Sequence, residues 1–275
     1  MKKLIFLLVM TAVLGLRTFA QESAAPTVEE IVKKANHTAY YQGFDGKSRV
    51  VMNIIDKQER TRSREFVILR KNTGQTDGDQ KYFVYFQSPA DVRKMVFMVH
   101  KHASVDQEDD RWLYLPNLDL VKRIAAGDKR TSFVGSDFLY EDVSGRNLAE
   151  DTHLLVQTTD QYYVVKNVPI KPETVEFSSY TVFIDKKTYM PMKMEFYDKD
   201  NVLYRTIESI KVEQIQAKEA DQEVTYPTVT QSVVKDLKTG SRTEMTFSDI
   251  QYNIGLSDDI FTERYLRRPP REAMR

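Results

Sequence analysis

RWLYLPNLDLVKRIAAGDKRTSFVGSDFLYEDVS, residues 111–144, holds the only tryptophan of the chain, an aromatic strand, a basic pair, a glycine turn and an acidic aromatic helix start. In Trp112-Leu113-Tyr114-Leu115 the aromatic side chains fall on one face of an extended segment and the leucines on the other. Neither face suits solvent, so this strand must be covered on both sides. Pro116 and Asn117 turn the chain, and Leu120 to Ile124 resumes an apolar rhythm that carries Lys122 and Arg123. Thr131 to Val134 reads as a further short strand. After Gly135, Ser136 and Asp137 are good N-caps for a short helical turn, whose positive end would be crowded by Asp137, Glu141 and Asp142.

Outward from this stretch the pattern is that of strands. Short runs rich in Val, Ile, Phe and Tyr recur about every dozen residues from Lys47 on. They predict strands near 48–56, 62–71, 81–87, 95–101, 111–115, 153–158, 161–166, 180–184, 191–198, 202–215, 227–235 and 242–252. Asp77-Gly78, Asp198 to Asn201 and Thr239-Gly240 punctuate neighbouring runs as hairpin turns. Few helices interrupt them, so the fold class is mainly β (α+β), an antiparallel meander or barrel rather than a parallel α/β sheet. The best helix starts at the capping box Thr27-Val28-Glu29-Glu30. Val28, Ile31, Val32, Ala35 and Ala39 line one face of it, and it should run to about Tyr40 and end before Gly43.

Residues 1–20 read as a cleavable secretory signal: Lys2 and Lys3, an apolar run from Leu4 to Leu16, then Thr18-Phe19-Ala20 before Gln21. Residues 21–275 form one expected domain, with Gly145 to Thr152 as a polar loop within the sheet and a solvated basic tail around Pro269 and Pro270. The chain has no cysteine, so an exported fold must rest on a hydrophobic core, and no lipid anchor is expected at the mature N-terminus. The expectation is an exported, soluble, unlipidated periplasmic protein. Forty basic residues balance forty acidic ones, which argues against nucleic acid as a partner.

Three motifs are familiar together. D-R-W-L-Y-L-P (110–116), V-K-R-I (121–124) and S-F-V-G-S-D-F-L-Y-E-D (132–142) closely resemble the signature of the LolA-like family of outer-membrane lipoprotein-sorting proteins. F-Q-S-P-A-D-V-R-K-M-V-F-M (86–98) and D-I-F-T-E-R-Y-L-R-R (259–268) extend the likeness on both sides. The resemblance implies an incomplete antiparallel β-barrel with an N-terminal helix and short lid helices. It implies a non-enzymatic carrier that binds a lipid, or the acyl chains of a lipidated protein, in a concave apolar cavity. Partners implied are an RND-type exporter or other inner-membrane transporter and an outer-membrane acceptor. The alternative is an envelope sensor or interaction module that uses the same half-barrel to hold a partner protein.

Candidate cavity residues are Trp112, Tyr114, Phe97, Phe133 and Phe138. The second face of the Trp112 strand would meet either a helix or that cavity. Arg123 is expected to form a structural ion pair with Asp137 or Asp142, its planar fork suiting a carboxylate. No catalytic residue is expected, because the G-x-S-x-G elbow, the phosphate-binding glycine loop and H-E-x-x-H are all missing. No cofactor is expected either. His100 and His102, two apart on a strand beside an acidic loop, are weak metal candidates, and a polar surface is the plainer reading of them.

Overall fold

The computed structural model describes residues 25–74 and 77–274. The secretory signal expected over residues 1–20 lies outside them. Helix α1 (Val28–Asn36) opens the chain: Thr27 Oγ1 accepts from Glu30 N at 3.2 Å and Glu30 Oε2 accepts from Thr27 N at 2.9 Å. It continues as a π-helix over His37–Tyr41, and Gly43 leaves it at a positive φ of 66°. Thirteen strands follow in chain order: β1 (Asp45–Ile55), β2 (Thr61–Thr73), β3 (Asp79–Ser88), β4 (Val96–Lys101), β5 (Asp110–Leu115), β6 (Leu120–Arg123), β7 (Asp151–Thr158), β8 (Tyr162–Pro169), β9 (Phe177–Asp185), β10 (Pro191–Asp198), β11 (Leu203–Glu219), β12 (Gln222–Asp236) and β13 (Ser241–Tyr252).

All belong to one antiparallel sheet in the order β6-β5-β4-β3-β2-β1-β13-β12-β11-β10-β9-β8-β7. Every neighbouring pair is a hairpin except β1 and β13, which join the two halves from opposite ends of the strand sequence. The sheet is not closed into a barrel: β6 and β7 are its two free edges, and residues 124–150 carry the chain from one to the other. This crossover includes helix α2 (Tyr140–Ser144). Of Gly145 to Thr152, expected as a loop within the sheet, the residues up to Glu150 are its last part, and Asp151 and Thr152 begin β7.

Alternation along the first strands covers both faces. On the inner face Phe66, Tyr82, Val84, Phe86, Phe97 and Val99 pack beneath Phe133, Phe138 and Tyr140 of the crossover. On the outer face Val67, Leu69, Phe83, Val96 and Met98 meet Leu256, Phe261 and Leu266. The C-terminal segment is therefore not a solvated tail. Its helices α3 (Arg264–Arg267) and α4 (Arg271–Met274) lie on the sheet, with Leu266 and Ala273 fully buried, because an uncovered outer face of β2 to β5 would expose a large apolar surface. In the second half, Ile31, Val32 and Ala35 of α1 cover Val165, Tyr180, Val182 and Phe196.

Trp112 and Tyr114 belong to the outer group, so the second face of their strand meets helices. Trp112 emission is thus expected to follow the docking of the C-terminal segment. Leu266→Ala should cost about 2–5 kcal/mol and red-shift Trp112 fluorescence in the folded protein. An unshifted spectrum in a destabilised Leu266→Ala variant would contradict that packing.

Candidate functional site

The inner face leaves a cavity of about 300 Å³ between the π-helix His37–Tyr41, the crossover and strands of both halves. Its apolar lining includes Phe66, Phe133, Phe138, Ile207, Met245 and Phe247. Gln42, Ser48, Thr228, Ser232 and Gln251 add polar groups to it. Several of these polar groups are already bonded within the protein: Gln42 Nε2 donates to the carbonyls of Thr38 and Pro227, both at 2.7 Å, and Thr228 Oγ1 lies 2.9 Å from the Tyr252 hydroxyl. A second chamber of about 100 Å³ lies beyond a partition that includes Tyr40, Asp142, Met194 and Ile207, which line both.

Of the five cavity candidates, Phe133 and Phe138 border this space. Phe97 is fully buried beneath them, its ring centroid 5.6 Å from Phe133 and 5.0 Å from Tyr140. Trp112 and Tyr114 are on the far side of the sheet and are corrected to outer-face packing residues. Strand periodicity identifies which residues share a face but not which face is concave. The main lining residues that sequence reasoning missed, Phe66, Ile207, Met245 and Phe247, lie on three strands, β2, β11 and β13, that pairing alone brings together.

The ion-pair expectation is also corrected. The β5–β6 register sets Arg123 opposite Trp112, on the outer face, where its guanidinium lies 5.9 Å from the indole centroid and pairs with Asp110. Asp137 and Asp142 are on the inner side of the sheet, out of its reach. Asp137 accepts from Ser241 Oγ at 2.5 Å and Thr243 Oγ1 at 2.7 Å. Asp142 pairs with Arg205 and accepts the Leu139 N–H at 2.7 Å, so it caps α2 in place of Ser136 or Asp137. Residues 131–134 form only a bridge between Ser132 and Leu139, since Val134 and Gly135 at φ 51° and 78° turn the chain back on itself.

His100 Nε2 lies 2.7 Å from the Phe261 carbonyl, and the imidazole packs edge-on against Trp112 at 5.0 Å. His102 Nδ1 is 3.3 Å from Asp79. Among the described residues no three His, Cys, Asp or Glu side chains converge as metal ligands.

Charge inside the molecule is concentrated beside the smaller chamber. Glu141, 3% exposed, is met by Arg130 at 2.5 Å, Lys129 at 3.2 Å and Arg146 at 3.3 Å. These cations reach on to Glu176 (Arg130, 2.6 Å), Glu150 (Lys129, 2.9 Å) and Asp151 (Arg146, 2.8 Å), and the hydroxyls of Tyr204 and Tyr180 complete Glu176 and Asp151 at 2.8 Å each. Burial alone would push the Glu141 carboxyl up, but the surrounding Arg130, Lys129 and Arg146 charges outweigh it and bring it down to about 2. Its folded value lies below its unfolded one, so the stability it contributes is present above the ordinary glutamate range and is lost as pH falls through that range toward 2. Glu141→Gln should cost about 3–5 kcal/mol at pH 7, because three cations lose their shared anion. The difference from wild type should shrink on acidification, as read by denaturant titrations at pH 7 and pH 3. A pH-independent difference would contradict the ionised carboxylate.

A protein-family model described as "-like: Uncharacterized protein" matches residues 78–268. No curated protein sequence matches the chain. Among solved structures, a DUF1329 family protein from Desulfovibrio piger is 28% identical, covering 86% of this chain and 95% of its own, with a TM-score of 0.74. A domain from Vibrio parahaemolyticus assigned to the outer membrane lipoprotein-sorting proteins is 27% identical over 87% of this chain and 97% of its own, also at 0.74. A LolA superfamily protein from Nitrosomonas europaea shares the fold at 20% identity and a TM-score of 0.65, covering 88% and 100%. The family match across residues 78–268 takes in the stretch 111–144 and most of the 13-stranded open sheet: the chain belongs to the DUF1329-like family, and its fold is similar to that of outer-membrane lipoprotein-sorting and LolA superfamily proteins.

Proposed function

We propose that this protein is a periplasmic carrier that shelters an acyl chain of a lipid, or of a lipidated protein, in the cavity between the π-helix, the crossover and the inner face of the sheet. The observation that carries this reading is the cavity's mixed, mainly apolar lining. Phe66, Phe133, Phe138, Ile207, Met245 and Phe247 give it aromatic and aliphatic surface, with amide and hydroxyl side chains among them, as an amphiphile requires. Each CH₂ taken from water stabilises the bound state by about 0.8 kcal/mol, so even a short enclosed chain gives useful affinity while remaining releasable. Similarity to an outer-membrane lipoprotein-sorting structure supports a carrier or binding role in general. A transporter of the RND type would load such a carrier and an outer-membrane acceptor would unload it. The chemistry is binding, with no catalytic step.

Protein purified from its native envelope should release a stoichiometric lipid into organic solvent, detected by mass spectrometry. Ile207→Trp, which displaces roughly two methylenes from the partition, should weaken retention about tenfold while keeping the native circular dichroism spectrum. Absence of lipid above background in the wild type would contradict the carrier reading.

A further inference from the structure

The charged side chains that line the inner cavity are Lys47, Arg70 and Asp142. Asp142 is paired with Arg205 and Lys47 has a partner, but Arg70 forms no ion pair among the described residues. Its half-buried guanidinium is held only by neutral acceptors. Nη1 donates to Asn72 Oδ1 at 2.5 Å, and Nη2 donates to the carbonyls of Gln42 and Gly43, the latter at 3.3 Å. Asn72 is fixed in turn, its Nδ2 donating to the Tyr41 and Gly43 carbonyls at 3.1 and 2.9 Å. Three of the five N–H donors of an arginine are thus occupied, which leaves two donors and the full positive charge.

Strand register places this cation at one end of the cavity. Arg70 on β2 stands opposite Gly46 on β1 and Tyr82 on β3, and Gly46 stands opposite Tyr252 on β13. Four residues along β2, Phe66 is opposite Val50, which is itself opposite Phe247. Two residues further along β1, Met52 is opposite Met245. At about 3.3 Å per residue, these apolar rows begin about 13 Å from the Arg70 row and reach about 20 Å from it. Ser48, opposite Ile68, and Gln251, opposite Lys47, line the cavity within two residues of the Arg70 row. Their side chains make no hydrogen bond among the described residues.

Resting on the carrier reading above, we infer that the cargo is an anionic amphiphile whose carboxylate or phosphate head group binds at Arg70. The alkyl chain runs along the strands toward Phe66, Phe247 and Met245, and the head group takes the guanidinium donors that the protein leaves open. The planar guanidinium suits either oxyanion, and the free hydroxyl of Ser48 and amide of Gln251 supply further donors close by. A partly buried charge is screened less than one at the surface, so an anion gains more here than a neutral head group on the same chain. A guanidinium that only tied the turn after the π-helix to β2 would give no such preference.

Calorimetric titration of the delipidated full chain with dodecanoate, dodecyl phosphate and dodecanol, each below its micellar concentration, tests it. The anions should bind about tenfold more tightly than the alcohol. Arg70→Gln should weaken the anions by about tenfold and leave dodecanol unchanged, while Arg70→Lys, which keeps the charge, should restore most of the preference. A preference for only one of the two anions supports the site and names its head group. Dodecanol bound as tightly as both anions in the wild type, or an Arg70→Gln loss shared equally by all three ligands, overturns the head-group assignment and leaves the carrier reading standing. No binding of any of the three overturns both. Thermal melts check that the variants fold, and the wild-type ranking of the three ligands decides the matter if Arg70→Gln does not.

Discussion

The structure depends on one buried charge. A 13-stranded sheet with two free edges has no closing ladder of hydrogen bonds, and the 124–150 crossover supplies the closure by crossing the inner face. What fastens it is Glu141, whose carboxylate gathers Arg130, Lys129 and Arg146 and through them Glu176, Glu150 and Asp151. With Tyr180 on β9 and Tyr204 on β11 as end points, the network ties the crossover to the second half of the sheet. Phe133, Phe138 and Tyr140, on the same crossover, grip the first half by aromatic packing. Ions hold one side and rings the other, and the cavity is the space the two attachments leave between them.

A directional, buried network suits that task better than more apolar surface would. Apolar packing alone would let the crossover settle deeper into the sheet and fill the cavity, since the hydrophobic effect has no preferred geometry. Charge pairs with fixed partners resist this, because any displacement strands a buried ion. Lys101 shows the same logic at the far end of α2. Its ammonium donates to the Ser144 carbonyl at 2.7 Å and lies over the rings of Tyr40 and Tyr41, and burial pushes it down to about 8 despite Asp109 and Glu141 nearby.

Much of the fold was legible in residues 45–252, because period-2 alternation and the turn residues Asp77-Gly78, Asp198 to Asn201 and Thr239-Gly240 are local signals. The capping box at Thr27 was legible for the same reason. What failed depended on the third dimension. The W-L-Y-L pattern correctly demanded cover on both faces, yet nothing in it distinguished the cavity from the C-terminal helices. Arg123 and Asp142 are near in sequence but separated by the thickness of the sheet, while the true partner, Arg205, is 63 residues from Asp142.

The central claim is that an acyl chain occupies the inner cavity rather than the outer face or a surface groove. A crystal structure of the protein with a fatty acid brominated near its methyl end tests it most directly, through the anomalous scattering of bromine. The account predicts a bromine peak against Phe66, Phe138, Met245 and Phe247, with the crossover still fastened by Glu141. Bromine beside Trp112 and Tyr114, or no ordered bromine at saturating ligand, would contradict it.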